Sequence, residues 1–235
     1  MKNRKQQIRT FQTAEKLAEK LAEEISRRLQ EAVTARNRAV LVVSGGTTPK
    51  PLFIRLAQKD ISWNRVTITL ADERWVDTTD PSSNEQLVRT YLLQDKAEAA
   101  DFNGLKNDNP TAASGEKECH ERLTELPRPF DVVILGMGLD GHTASLFPGS
   151  PGLREAMNCD ARTACIAMTA GNATPERISM TVPKLLDARQ IYLHITGKEK
   201  INVLEQALAG GPVEKMPIRS ILLQDQTPVQ IFWAP

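Results

Sequence analysis

Asp140 and His142 stand two residues apart in the glycine-rich stretch Gly136-Met137-Gly138-Leu139-Asp140-Gly141-His142, directly after the apolar run Val132 to Leu135. An imidazole titrating at about pH 6.5 can take a proton from water, and a neighbouring carboxylate can orient the ring or offset its charge. His142 is therefore the candidate general base and Asp140 its companion; a turn histidine with a structural role is the alternative. The same stretch matches GxGxxG. Only six residues separate Gly141 from Pro148, and Pro151 follows. The long helix that would receive a dinucleotide pyrophosphate therefore has no room. Of the other histidines, His120 in GEKECHER reads as a solvated helix-face residue, and His194 in mid-strand as a core or sheet-face residue.

A second group of residues suits an anion. Ser44-Gly45-Gly46-Thr47-Thr48-Pro49 follows an apolar run and precedes a helical pattern. Two glycines let backbone N–H groups approach a phosphate, hydroxyls can cap, and Pro49 suits a first helical turn. A plain strand-to-helix turn is the alternative, since the full GxxxxGK[ST] pattern is absent. Arg74 in Asp72-Glu73-Arg74 closes a strand, where a guanidinium could pair with an oxyanion, a phosphate or a structural carboxylate. Arg177, after Thr174-Pro175-Glu176, and Lys200, in Gly197-Lys198-Glu199-Lys200, are each expected to open a helix beside a strand end. Singly these are surface cations. Together, one glycine-rich cradle (Gly45, Gly46, Thr47), three separated cations and one histidine suggest a small, phosphorylated, otherwise uncharged substrate.

The elements that must hold these groups follow a rhythm. Ala14, Leu17, Ala18, Leu21, Ala22, Ile25 and Leu29 step by three and four, which predicts an opening amphipathic helix. Short apolar runs at Ala39 to Val43, Val66 to Leu70, Val132 to Leu135, Cys165 to Met168 and Ile191 to Ile195 each lead into a polar loop, with Val229 to Trp233 a final strand. Helical patterns lie between them at about residues 51–58, 85–93, 114–126, 182–186 and 198–208. That alternation predicts a mostly parallel α/β sheet with ligands at the carboxyl ends of its strands. Turn-rich residues 95–114 read as a surface excursion within one domain.

Composition excludes other classes. Thirty Lys plus Arg against 29 Asp plus Glu give a net charge of +1 over 235 residues, with 5% aromatics and no dense basic run. Nothing here offers a footprint for nucleic acid or an anionic membrane. The longest apolar stretch is the five residues Ala39 to Val43, and no signal-type apolar segment follows Met1. Three cysteines, Cys119, Cys159 and Cys165, form no CxxC, so reduced thiols in a cytoplasmic protein are expected.

Taken together, SGGTTP, ADERWV, SSNEQLVRTYLL, GMGLDGHTASLFPG, PERISMTVP and ITGKEK resemble the 6-phosphogluconolactonase family over most of the chain. GMGLDGHTASLFPG is the specific element; SGGTTP and GKEK are shared with the wider sugar-phosphate isomerase and deaminase superfamily. Thr47 stands where the family usually has Ser, which keeps the hydroxyl, and Thr174 replaces a second proline, which bears on loop shape. The resemblance implies a single-domain Rossmann-like α/β/α sandwich over residues 1–235, similar to glucosamine-6-phosphate deaminase. It implies hydrolysis of a phosphorylated sugar lactone with no required cofactor or metal, by a monomer or weak homodimer. His142 would activate water, Asp140 and Arg74 would lie near the reacting end, and Gly45, Gly46, Thr47, Arg177 and Lys200 would surround the phosphate. The rival is an isomerase or deaminase with Asp72 as base. That branch resembles DGHIAFNEP, with a glutamate five residues after the histidine, where this chain has Phe147. A non-catalytic phosphosugar sensor on the same fold ranks third.

Overall fold

The computed structural model describes residues 7–158, 162–170 and 173–235. Its first half runs β1 (Gln7–Thr10), α1 (Ala14–Arg36), β2 (Ala39–Val43), α2 (Lys50–Ala57), β3 (Val66–Leu70), β4 (Asp72–Arg74), α3 (Asn84–Tyr91), β5 (Asp101–Asn103) and α4 (Ala112–Glu125). The second runs β6 (Val132–Leu135), α5 (Leu153–Ala156), β7 (Cys165–Ala170), β8 (Ala173–Met180), α6 (Val182–Leu186), β9 (Ile191–Thr196), α7 (Lys198–Leu208), α8 (Arg219–Leu222) and β10 (Val229–Ala234).

Seven strands form one parallel sheet in the order β1-β10-β9-β6-β2-β3-β5. Every residue of β2 and β6 is buried, as continuous β-branched and aliphatic runs require when both faces are covered. Helix α1 supplies one cover: Leu17, Leu21, Ile25 and Leu29 are fully buried along one stripe. Thr13 caps its start by accepting the Lys16 N–H at 3.3 Å, and Asn37 ends it in a left-handed conformation at φ 57°. No helix among the described residues is long and apolar enough to cross a membrane.

The chain leaves β2 toward β3 on one side and β6 toward β9 on the other. The β2/β6 boundary is therefore the topological switch point, where the loops after the two strands diverge and open a crevice.

Four sequence expectations change. The run Cys165 to Met168 does not join the parallel sheet; it forms β7 of a separate antiparallel sheet ordered β4-β8-β7. Arg177 does not open a helix but sits inside β8, opposite Arg74. The reason lies in pairing: Arg177 stands opposite Arg74 of β4 on one side and Met168 of β7 on the other, so the segment is held as the central strand of the small sheet in place of a helical start after Thr174-Pro175. Residues 95–114 are not purely a surface excursion, because β5 pairs with β3 there. His120 is half-buried and not fully solvated, its Nδ1 accepting the Ala164 N–H at 3.0 Å. His194 is buried as expected, and Cys119 and Cys165 are buried free thiols. Cys159 lies outside the described residues.

Candidate active site

A cleft of about 320 Å³ opens at the switch point. Its walls are the Ser44 to Pro49 loop after β2, the Gly136 to Ala144 segment after β6, Arg74 of β4, Arg177 of β8 and Lys200 of α7. Gly45, Gly46, Thr47 and His142 all line it. Asp140 does not; it stands behind His142, and its charge also acts on Lys200.

The dyad is local. The Asp140 carboxylate oxygen Oδ1 lies 2.6 Å from His142 Nδ1 and also accepts the His142 backbone N–H at 3.1 Å. Because a carboxylate accepts, Nδ1 carries the hydrogen, and Nε2 keeps its lone pair for a proton from elsewhere. Burial works against the Asp140 charge, but the hydrogen bonds and charge of His142 outweigh it, so its carboxyl is held below the usual range. The turn closes through the Gly138 N–H donating to the His142 carbonyl at 2.8 Å. A Cβ on Gly138 would lie 2.0 Å from His142 Nδ1, so only glycine leaves room for the dyad. The His142 ring packs on Phe147 at 4.5 Å between centroids, and Arg177 lies over Phe147 at 5.2 Å. Phe147 thus separates base from cation with an apolar surface.

Positive charge lines the rest. Arg74 donates to the Ser82 carbonyl, while the Nε of Arg74 and of Arg177 are buried with no hydrogen-bond partner. Burial first, then the neighbouring Arg74 charge, depresses the pKa of Arg177. Lys200 Nζ donates to the Met137 carbonyl at 2.5 Å, and burial holds it below the usual lysine range. Helices α2 and α7 both start at this edge, and neither N-terminus has a side-chain cap. The dipoles of these helices add positive potential where Thr47 and Lys200 meet the cleft.

Residues distant in sequence complete the wall. Glu73 is fully buried and accepts the backbone N–H groups of Arg74, Asn84 and Glu85 and the Ser83 hydroxyl, which docks the start of α3 on β4. Burial nonetheless raises its carboxyl pKa against those four bonds. Asn84, so placed, donates to the Asp72 carbonyl at 2.8 Å and presses on Gly45, where a Cβ would lie 1.8 Å from Asn84 Oδ1. Asp72 accepts the Ser145 hydroxyl at 2.5 Å. Between His142 and Ser145, Ala144 adopts φ 48°, a conformation costing about 1–2 kcal/mol that the flanking bonds sustain. Sequence reasoning missed Asn84; its only local signal is Ser83 as a cap, accepting the Gln86 N–H at 3.2 Å. Among the described residues no group of three or more His, Cys, Asp or Glu is placed to hold a metal ion.

A parallel α/β sheet whose switch-point crevice sets a carboxylate-held histidine against Arg74, Arg177 and Lys200 defines a class of α/β protein with a cation-lined cleft at its strand ends. Within that class, the chain belongs to the glucosamine-6-phosphate isomerase/6-phosphogluconolactonase family, whose pattern it matches over residues 12–233. It is 43% identical over 225 residues to the 6-phosphogluconolactonase of Rhizobium meliloti (strain 1021), covering 96% of this chain and 97% of that one. A crystal structure of a 6-phosphogluconolactonase from Shewanella baltica OS155 superimposes with a TM-score of 0.96 at 47% identity, covering 99% of both chains. A monomeric glucosamine-6-phosphate deaminase superimposes at 0.80 with 18% identity over 97% of each chain, a likeness of fold.

Proposed function

We propose that this protein hydrolyses 6-phospho-D-glucono-1,5-lactone to 6-phospho-D-gluconate, with His142 as the base that activates water. The observation that carries the reading is the 2.6 Å Asp140–His142 contact beside a cation-lined cleft in a chain of this family. The lactone is an activated ester, so the protein must supply a placed water, a base and charge stabilisation. His142 Nε2 takes a proton as the water oxygen bonds to C1 and the carbonyl becomes an oxyanion. The oxyanion then re-forms the carbonyl as the C1–ring-oxygen bond breaks, and the imidazolium returns its proton to the departing ring oxygen. Asp140 stabilises the intervening imidazolium.

Arg74 steadies the oxyanion, and Gly45, Gly46, Thr47, Arg177 and Lys200 hold the phosphate. Phosphate anchoring converts remote binding energy into orientation at C1. No cofactor takes part in this scheme. The remaining parts of the reading are one functional domain over residues 1–235, a cytoplasmic location and a monomer or weak homodimer. Phe147 argues against the isomerase or deaminase alternative. It packs its ring on His142 where that branch carries a glutamate, and an apolar ring cannot move a proton.

The test is disappearance of freshly generated lactone, corrected for spontaneous hydrolysis, with wild type and His142→Ala side by side. Acceleration by wild type and a loss of about 10²- to 10⁴-fold in the variant is the expected result. Equal acceleration by both would discard the base while keeping the activity. No acceleration by either, with turnover of glucosamine 6-phosphate, would move the protein to the other branch.

A further inference from the structure

His194 is a second imidazole in the cleft, and the chemistry above does not use it. It lies on β9, only 4% exposed, beside Phe232 of β10 in the parallel register, and it lines the cleft with Ile195 and Thr196. Its Nδ1 is sealed from solvent and has no hydrogen-bond partner. Leaving a buried polar group unsatisfied costs about 1–3 kcal/mol, a cost that Leu or Phe at the same place on an apolar strand would avoid. A dry, partnerless nitrogen is tolerated better as a lone pair than as an N–H. The proton therefore sits on Nε2, and the ring offers a donor to the cleft.

Two observations fix what that donor meets. Burial pushes the imidazole down to about 4, so the ring is neutral. The cations that suit a phosphate, Arg177 and Lys200, come from other elements. A neutral donor flanked in the cleft by Ile195 and Thr196 of its own strand complements a neutral oxygen.

We propose that His194 is a specificity-determining residue whose Nε2–H donates a hydrogen bond to a hydroxyl of the bound sugar acid, at C2, C3 or C4. This rests on the lactonase reading. The residue touches substrate without exchanging a proton, which gives the two histidines of the cleft separate tasks. A site built to pair a hydroxyl rejects the analogue that lacks it, because the protein group is then left unpaired.

The experiment is a cycle between protein and substrate. The 2-, 3- and 4-deoxy lactones and the parent are assayed for kcat/KM with wild type and with His194→Phe, which keeps an aromatic ring and removes the donor. Wild type is expected to lose about 10- to 100-fold on the one deoxy lactone that lacks the contacted hydroxyl. His194→Phe should lose a similar factor on the parent and nothing further on that analogue. If the variant keeps parent kcat/KM and every deoxy penalty of the wild type, the proposal is overturned while the lactonase reading stands. An absence of wild-type turnover on the parent overturns both. Should His194→Phe not fold, ¹⁵N-histidine spectra of the wild type decide: with three histidines in the chain, the His194 Nε2 resonance is followed on adding 6-phosphogluconate and, separately, inorganic phosphate. A shift with the sugar acid and none with phosphate supports the contact; no shift with the sugar acid overturns it.

Discussion

Arg74 and Arg177 face one another in antiparallel register across the β4–β8 ladder, and each keeps a buried Nε without a partner. Like charges set opposite on one ladder oppose pairing, and here burial and then the Arg74 charge depress the pKa of Arg177. The protein thus holds a pair of like charges that the proposed phosphate would relieve.

Removing one member should therefore separate stability from binding. Arg177→Gln is expected to leave the ligand-free protein as stable as wild type, or up to about 1 kcal/mol more so. It should abolish most of the stabilisation by 6-phosphogluconate, which at a hundred times Kd is worth about 2.7 kcal/mol in wild type. Thermal unfolding with and without 6-phosphogluconate measures both. A variant with an undiminished ligand-induced shift would remove Arg177 from the anion site.

Gly138 offers a test of the dyad that changes no functional group. An added methyl would meet His142 Nδ1 at 2.0 Å and Asp140 Oδ1 at 2.4 Å, whereas one on Gly136 would meet nothing within 4 Å. Displacing a catalytic group by about 1 Å can cost 10²-fold in rate. Gly138→Ala is therefore expected to lower kcat by about 10²-fold with 6-phosphogluconate affinity nearly unchanged, while Gly136→Ala stays close to wild type. Equal effects of the two substitutions on kcat would show that loop backbone and not the dyad sets the rate.

The dyad loop and the Ser44 to Pro49 turn were legible because each is local: strand, turn and chemistry lie within about a dozen consecutive residues. The buried runs of β2, β3, β6 and β9 were legible because a strand covered on both faces has one signature. Arg177 lines the cleft, but from a strand and not from the start of a helix. Thr174-Pro175 reads as a helix start, yet pairing with β4, about a hundred residues away in sequence, and the local hairpin with β7 override it. Edge strands β1 and β5 have too few buried apolar residues to announce themselves. The Glu73, Asn84 and Gly45 wall was invisible because its contacts join three separate elements through polar groups that no periodicity marks.

Lys184 links fold stability to pH. It is 5% exposed on α6, donates from Nζ to the Leu123 carbonyl near the end of α4 at 2.8 Å, and lies over the Phe130 ring at 5.1 Å. Burial first, then the Arg128 charge, pushes its ammonium down to about 8, against a partial offset from Asp187. An unfolded lysine holds its proton to about pH 10.4. Between those values the unfolded chain binds more protons than the folded one, so this residue's contribution to stability rises with pH across the window. Below about pH 8 both states are protonated and the contribution is flat and unfavourable. Urea unfolding of wild type and Lys184→Met at pH 7.5 and 9.5 is expected to show the difference between them moving by about 2 kcal/mol in favour of wild type at the higher pH. A difference that does not move with pH would mean that the buried ammonium titrates as it does in water, and that the Leu123 carbonyl and the Phe130 ring fully offset its desolvation.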